Sequence, residues 1–220
     1  MKKWDAEKAR EQLENIEDSA VFLELAEAAN QEGSSLEDRY IAGVSVEKGD
    51  FSGLEVSGSV FENCVFSDSA FPKSYFKDCL FMSCDFSNCN FSSSTFSRCS
   101  FEQVKGIGAD FSESVFKQVE LRACLFRYAV FTLCLLQDMV LETCDLSEAW
   151  LDSCKGQKWR WKDVSLVRAN LYKTPLKGVD LRECQIEGII LSTEAREISG
   201  AVVDWMQAAE LARFLGVVIK

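Results

Sequence analysis

The chain has 220 residues, with 24 Lys or Arg, 35 Asp or Glu and no His, giving a net charge of −11. Lack of His excludes Ser-His-Asp and Cys-His catalysis and imidazole metal ligation, and no G-x-G-x-x-G or Walker sequence is present, since Gly106-Ile107-Gly108-Ala109 lacks a following helix. Two prolines, no Gly/Ser linker, no secretory leader pattern and no apolar run near the ~20 residues of a membrane span predict one elongated, cytoplasmic, non-catalytic domain without cofactor or metal.

In chain order, residues 4–31 are rich in Ala, Glu and Leu, and Leu13, Ile16, Ala20 and Leu23 fall at helical spacing. This predicts a helix ending at Gly33-Ser34-Ser35, and a terminal unit over 1–35. It admits two readings: a cap over the open edge of whatever follows, or an appendage for a partner.

From Ile41 to Leu191 thirty-one positions spaced five apart carry an apolar residue at all but two places, Gly106 and Gly156. Fourteen of the sixteen phenylalanines lie in this frame, and Leu takes over towards its end. Five matches neither the helix period nor the strand period, so the segment 36–192 is a repeat architecture. Phe61, Phe81, Phe86, Phe91, Phe96, Phe111, Leu146 and Leu171 are candidate core residues.

Two positions before most frame residues stands a small one, and all ten cysteines, Cys64, Cys84 and Cys144 among them, fall in this column. A free Cys acts there as a small buried hydrophobe. Equivalent positions stack with parallel side chains, an arrangement unsuited to disulfides. The x₄ spacing of Cys79, Cys84 and Cys89 follows from the repeat rather than from a zinc site.

The stretches F-S-N-C-N-F, A-D-F-S-E-S-V-F, C-D-L-S-E-A-W-L, R-A-N-L-Y-K and G-V-D-L-R-E-C resemble the A-(D/N)-L-x-x consensus of the pentapeptide repeat family. The resemblance implies an all-β fold, a right-handed quadrilateral β-helix, here with an N-terminal helical cap and a C-terminal helix. In that family four pentapeptides form one square coil with the frame residue pointing inward.

Outside the frame, the residues just before it at 125, 130, 135 and 140 are Leu, Val, Leu and Val. Leu125, Val130, Leu135 and Val140 would girdle one coil, and Trp150 and Ile190 would continue the side that carries Val130. Such a patch marks a partner surface or lies beneath the N-terminal helix. In Lys155-Gly156-Gln157-Lys158-Trp159-Arg160-Trp161-Lys162, Gly156 empties a core position that Trp159 can fill from the small column. The alternative reading, an aromatic-basic nucleic-acid site, conflicts with the net negative charge, and direct nucleic-acid binding is not expected.

The terminal unit 193–220 holds a second helix. Asp204 is its N-cap with Gln207 as capping-box partner, and Gly216 stops it. Trp205, Met206, Leu211, Phe214 and Leu215 make it apolar round most of its circumference. One coil end cannot cover all of that, which predicts a homodimer joined there. The sequence Val202-Val203-Asp204-Trp205-Met206-Gln207-Ala208, with Leu211 and Leu215-Gly216-Val217-Val218-Ile219, is similar to the tail of Qnr-type quinolone-resistance and MfpA-like proteins. That resemblance implies a dimeric rod that imitates duplex DNA and binds DNA gyrase or a related topoisomerase. The charges do not support strong imitation. Residues 41–191 carry 20 acidic and 16 basic side chains, a net of −4. Duplex DNA presents ~21 negative charges over a rod ~36 Å long. Acidity is concentrated in 41–152, whereas 153–178 holds seven basic residues and one acidic.

Overall fold

A residue with left-handed backbone recurs every five positions, from residue 38 without a gap to residue 178. The non-glycine members have φ between 52° and 61° and include residues that rarely adopt it, such as Leu133 and Thr143. Each turns a corner, and four corners close a coil of twenty residues. Partners in the parallel ladder accordingly lie twenty apart, from Leu36↔Val56 to Asn170↔Ile190. The spacing widens at the two ends, to 25 at Glu14↔Arg39 and to 22 at Asp180↔Val202. The result, in this computed structural model describing residues 6–218 (without the side chains of residues 6, 7 and 215), is a quadrilateral β-helix. Its four sides are named here after Val56, Phe61, Phe66 and Phe71.

The frame residues point inward because a twenty-residue coil puts the middle of every side against the axis. All fourteen frame phenylalanines are at most 3% exposed, as are Leu146 and Leu171. Rings stack along each side at coil spacing: Phe71, Phe91, Phe111 and Phe131 follow one another at 4.8, 5.1 and 5.1 Å, within 9° of parallel. Neighbours round a coil meet edge to face, as Phe86 and Phe91 do at 5.4 Å and 85°. Each such ring contributes ~1.5–3 kcal/mol by burial before conformational entropy is set against it.

The small column does more than fill space. Its thiols and hydroxyls donate to the carbonyl of the frame residue 23 positions earlier: Cys64 to Ile41 at 3.3 Å, Cys144 to Leu121 at 3.4 Å and Ser94 to Phe71 at 2.7 Å. Burial pushes the Cys89 thiol up to about 12 and Cys184 up to about 11, which keeps these groups protonated and donating at neutral pH. All ten cysteines are buried and free. Ser59, Ser69, Ser94 and Ser114 also accept the backbone N–H of the residue twenty earlier.

The N-terminal segment is not one helix. It divides into α1 (Ala6–Gln12), a strand Glu14–Ile16 and α2 (Ser19–Glu32). The strand pairs with Arg39–Ala42 and extends the first coil by one more side. Helical spacing fails here because that edge offers Glu14–Ile16 backbone partners that no local pattern encodes. The buried face of α2 is Phe22, Ala26 and Ala29, while Leu23 is exposed. Asp18 caps its start and Gly33, at φ 63°, its end.

Candidate partner-binding surfaces

The carboxylate just before a frame residue is committed to the coil itself. Asp50, Asp85, Asp110 and Asp145 each accept the backbone N–H of the residue two positions on, an Asx turn at the corner. The bonds from Ser52 hold the Asp50 carboxyl below its ordinary pKa, and bonds from Arg182 hold Asp180 down to about 2. Further ion pairs link adjacent coils at the same twenty-residue interval. Arg98 meets Asp78 at 2.6 Å, Lys105 meets Asp85 at 2.8 Å, Arg122 meets Glu142 at 2.7 Å and Arg168 meets Glu148 at 2.6 Å. These four acidic side chains are therefore each met by a counterion on the adjacent coil.

Apolar exposure has two centres. On the Phe71 side Val130 stacks directly on Trp150 in the ladder, then Asn170 and Ile190 follow. Trp150 is 54% and Ile190 52% exposed, and Leu133 at the adjoining corner is exposed as well. The second centre is α3 (Trp205–Ala212), which lies across the last coil. Its capping box is formed: Asp204 accepts from Gln207 N–H at 2.8 Å, and Gln207 Oε1 accepts from Asp204 N–H at 3.0 Å. The Gln207 amide then donates to the carbonyls of Leu181 at 2.7 Å and Cys184 at 2.8 Å, which fastens the helix to the coil. Trp205, Met206 and Phe214 remain outside, Trp205 at 79% exposed.

Residues 54–131 match the family described as pentapeptide repeat region. Among solved structures the chain is similar to a trypsin-treated variant of QnrB1, described as a plasmid-mediated fluoroquinolone resistance protein. That match has 22% identity and a TM-score of 0.47, covering 86% of this chain and 92% of the other. Full-length QnrB1 matches at 20% identity and a TM-score of 0.47, covering 93% of this chain and 95% of that one. HetL, a pentapeptide repeat protein involved in heterocyst differentiation regulation from the cyanobacterium Nostoc sp., matches at 11% identity and a TM-score of 0.41, over 80% of this chain and 94% of that one. No curated protein sequence matches.

Within the coils the core candidates occupy the interior: Phe61, Phe81, Phe86, Phe91, Phe96, Phe111, Cys64, Cys84 and Cys144 are all buried. The girdle candidates are dispersed over four sides. Leu125 stands between Lys105 and Asp145, Leu135 between Val115 and Lys155, and Val140 between Glu120 and Arg160. Val130, Leu135 and Val140 are all half-buried, and of the four only Val130 adjoins a large exposed apolar side chain, that of Trp150, so the apolar surface lies there. The N-terminal helix does not cover it. Instead α1 shields a stripe the sequence reading passed over, in which Tyr40, Val60 and Leu80 lie against Ala9 and Leu13. Of the α3 candidates, Leu211 is corrected: it is 6% exposed and packs into the core, because it faces the coil that Gln207 grips. The Leu215 side chain lies outside the described residues. Gly156 does lose its core position to Trp159, whose indole N–H donates to Leu136 O at 2.7 Å, the role a thiol or hydroxyl plays elsewhere in the column. Among the described residues no group of three or more Cys, Asp or Glu could hold a metal ion, and no helix is long and apolar enough to cross a membrane.

Proposed function

We propose that this chain is a non-catalytic, homodimeric interaction protein, joined through α3 and engaging a partner protein along the Phe71 side. The observation that supports it is the division of α3 into two faces. Gln207 and Leu211 close the coil, whereas Trp205, Met206 and, just past the helix end, Phe214 stay exposed. A helix with one apolar face spent on its own coil and a second in water fits a two-fold contact. Val130 and Trp150 supply the partner surface, and an adjoining apolar pair suits a protein rather than a charged polymer.

A second reading, imitation of duplex DNA at DNA gyrase, rests on the tail sequence Val202–Ile219. The cross-coil ion pairs oppose it, since imitation works through uncompensated charge. Titrating the protein into a gyrase supercoiling reaction, with and without a fluoroquinolone and across a salt series, separates the two. Weak or no effect is expected. Potent inhibition that fades steeply with salt would establish the imitation instead. Light scattering at micromolar concentration tests the dimer, and a monomer there ends that part of the proposal.

A further inference from the structure

On the Val56 side the ladder runs in register from Leu36 through Val56, Phe76, Phe96, Phe116 and Leu136 to Gly156, then stops. The strand Lys155–Gln157 pairs with Leu135–Gln137 on one flank and with nothing on the other, although residues 175–177 of the next coil lie beside it. Two residues cause the break. In earlier coils the residue opening this side donates its N–H to the carbonyl 21 positions back, as Leu135 does to Ser114 and Lys155 to Cys134, both at 2.9 Å. Pro175 occupies that place in the next coil and has no N–H. At Gly156 the backbone is pressed against the preceding coil, where a Cβ would come within 1.7 Å of Leu136 O.

The break leaves donors without acceptors. Corner residues elsewhere donate to the following coil, Lys73 to Ser92 O at 2.9 Å and Arg98 to Lys117 O at 2.8 Å. Among the described residues the Lys158 N–H finds no such carbonyl. Between the two coils lies a notch of about 80 Å³ lined by Gly156, Gln157, Lys158, Pro175, Lys177 and Gly178, with Trp159 behind. Its size is that of two or three waters at ~30 Å³ each, or of one tetrahedral oxyanion. Arg160 and Lys162 next to it have carboxylate partners in Asp138 and Glu142, but among the described residues Lys158 and Lys177 form no ion pair. No carboxylate lines the notch, which rules out a cation as occupant, and its polar lining suits no apolar one.

We propose that this notch binds a small tetrahedral oxyanion of the phosphate class. The Lys158 N–H and the Gln157 amide donate to its oxygens, and Lys158 and Lys177 neutralise it as point charges. Glycine at 156 and 178 lets it reach the backbone, and a Cβ at Gly178 would meet nothing within 4 Å, so the mouth stays open. The surplus of basic residues in 153–178 raises the local anion concentration.

Inorganic pyrophosphate, inorganic phosphate and a short single-stranded oligonucleotide are the probes, titrated into the full chain at constant ionic strength and read by amide chemical shifts. Saturable shifts confined to Gly156, Gln157, Lys158 and Gly178 are expected with pyrophosphate or phosphate. The double variant Lys158→Gln with Lys177→Gln should bind at least tenfold more weakly, while Lys73→Gln with Lys117→Gln binds as the parent does. All four lysines sit on the surface, and an unchanged amide spectrum away from the substitution confirms that each variant folds. Equal losses in both double variants, shifts spread along the rod, or binding of the oligonucleotide alone would overturn the site. Such results would leave a diffuse basic surface in its place.

Discussion

At its N-terminal end the rod is closed by an apolar wedge, and at its C-terminal end by a polar clasp. The ring of Phe22 sits 5.5 Å from both Phe51 and Phe66 and 6.4 Å from Phe61, fully buried, so α2 continues the aromatic stack beyond the first coil. At the other end the core has changed to Leu, and Gln207 holds α3 by two backbone carbonyls while Leu211 fills the hole. A wedge gains its stability by burial and has no further obligation. A clasp leaves the rest of its helix free, and there the large apolar residues gather. Closing a coil is thus separable from offering a surface, and only one end does both.

The largest effect that can break this comparison is at the wedge. Phe22→Ala should cost ~3–5 kcal/mol through lost transfer and a residual cavity, measured as a shift in the urea midpoint at constant slope. A loss below ~1 kcal/mol would mean that the first coil closes without the ring. At the clasp, Gln207→Ala leaves the Leu181 and Cys184 carbonyls unpaired beneath the helix. The expected cost is ~1–3 kcal/mol, and an unchanged midpoint would show that water replaces the amide.

How far these ends could be read from residues differs between them. The frame was legible because a period of five has no competing explanation, and every Phe in it is inside. The capping box at Asp204 and the stop at Gly216 were legible because capping is local chemistry. The strand Glu14–Ile16 was not, since its partner is the edge Arg39–Ala42 and the Leu13, Ile16, Ala20 spacing imitates a helix. The donor hydrogen that Ser, Thr, Cys and the one Trp of the small column give to the preceding coil was a signal that size alone concealed. The pairing of Arg98 with Asp78 and Lys105 with Asp85 could have been found by asking which charges stand twenty apart. The notch beside Gly156 could not, because it depends on how Pro175 and Trp159 act together across two coils.

A third test addresses how the last full coil ends. Glu197 is 4% exposed, and its carboxylate accepts from Lys173 N–H at 2.8 Å, Ser192 N–H at 3.2 Å and Ser192 Oγ at 2.8 Å. It takes the place of peptide carbonyls that the next coil would have supplied. Burial pushes its pKa up, but these donors and its own N–H outweigh that, and the net shift is downward. A folded-state pKa below the unfolded one stabilises above the unfolded value and loses that contribution as pH falls through the folded value. Thermal midpoints should therefore decline in acid more steeply for the parent than for Glu197→Gln. Parallel acid profiles would show that the carboxylate does not hold the end.

The smallest expected effect on stability is the most informative about the surface. Trp205 is 79% exposed on α3 and Leu23 is 41% exposed on α2. Trp205→Ser and Leu23→Ser should each stay within about 0.5 kcal/mol of the parent in unfolding measured on the monomer, as exposed substitutions do. Their effects on association should then separate, since only the clasp has a second face to give to a partner. Trp205→Ser should shift sedimentation towards monomer at micromolar concentration, and Leu23→Ser should leave it where it was. If Trp205→Ser instead costs more than ~1 kcal/mol in the isolated monomer, the indole belongs to the cap. If Leu23→Ser is the variant that dissociates, the rod joins by its other end.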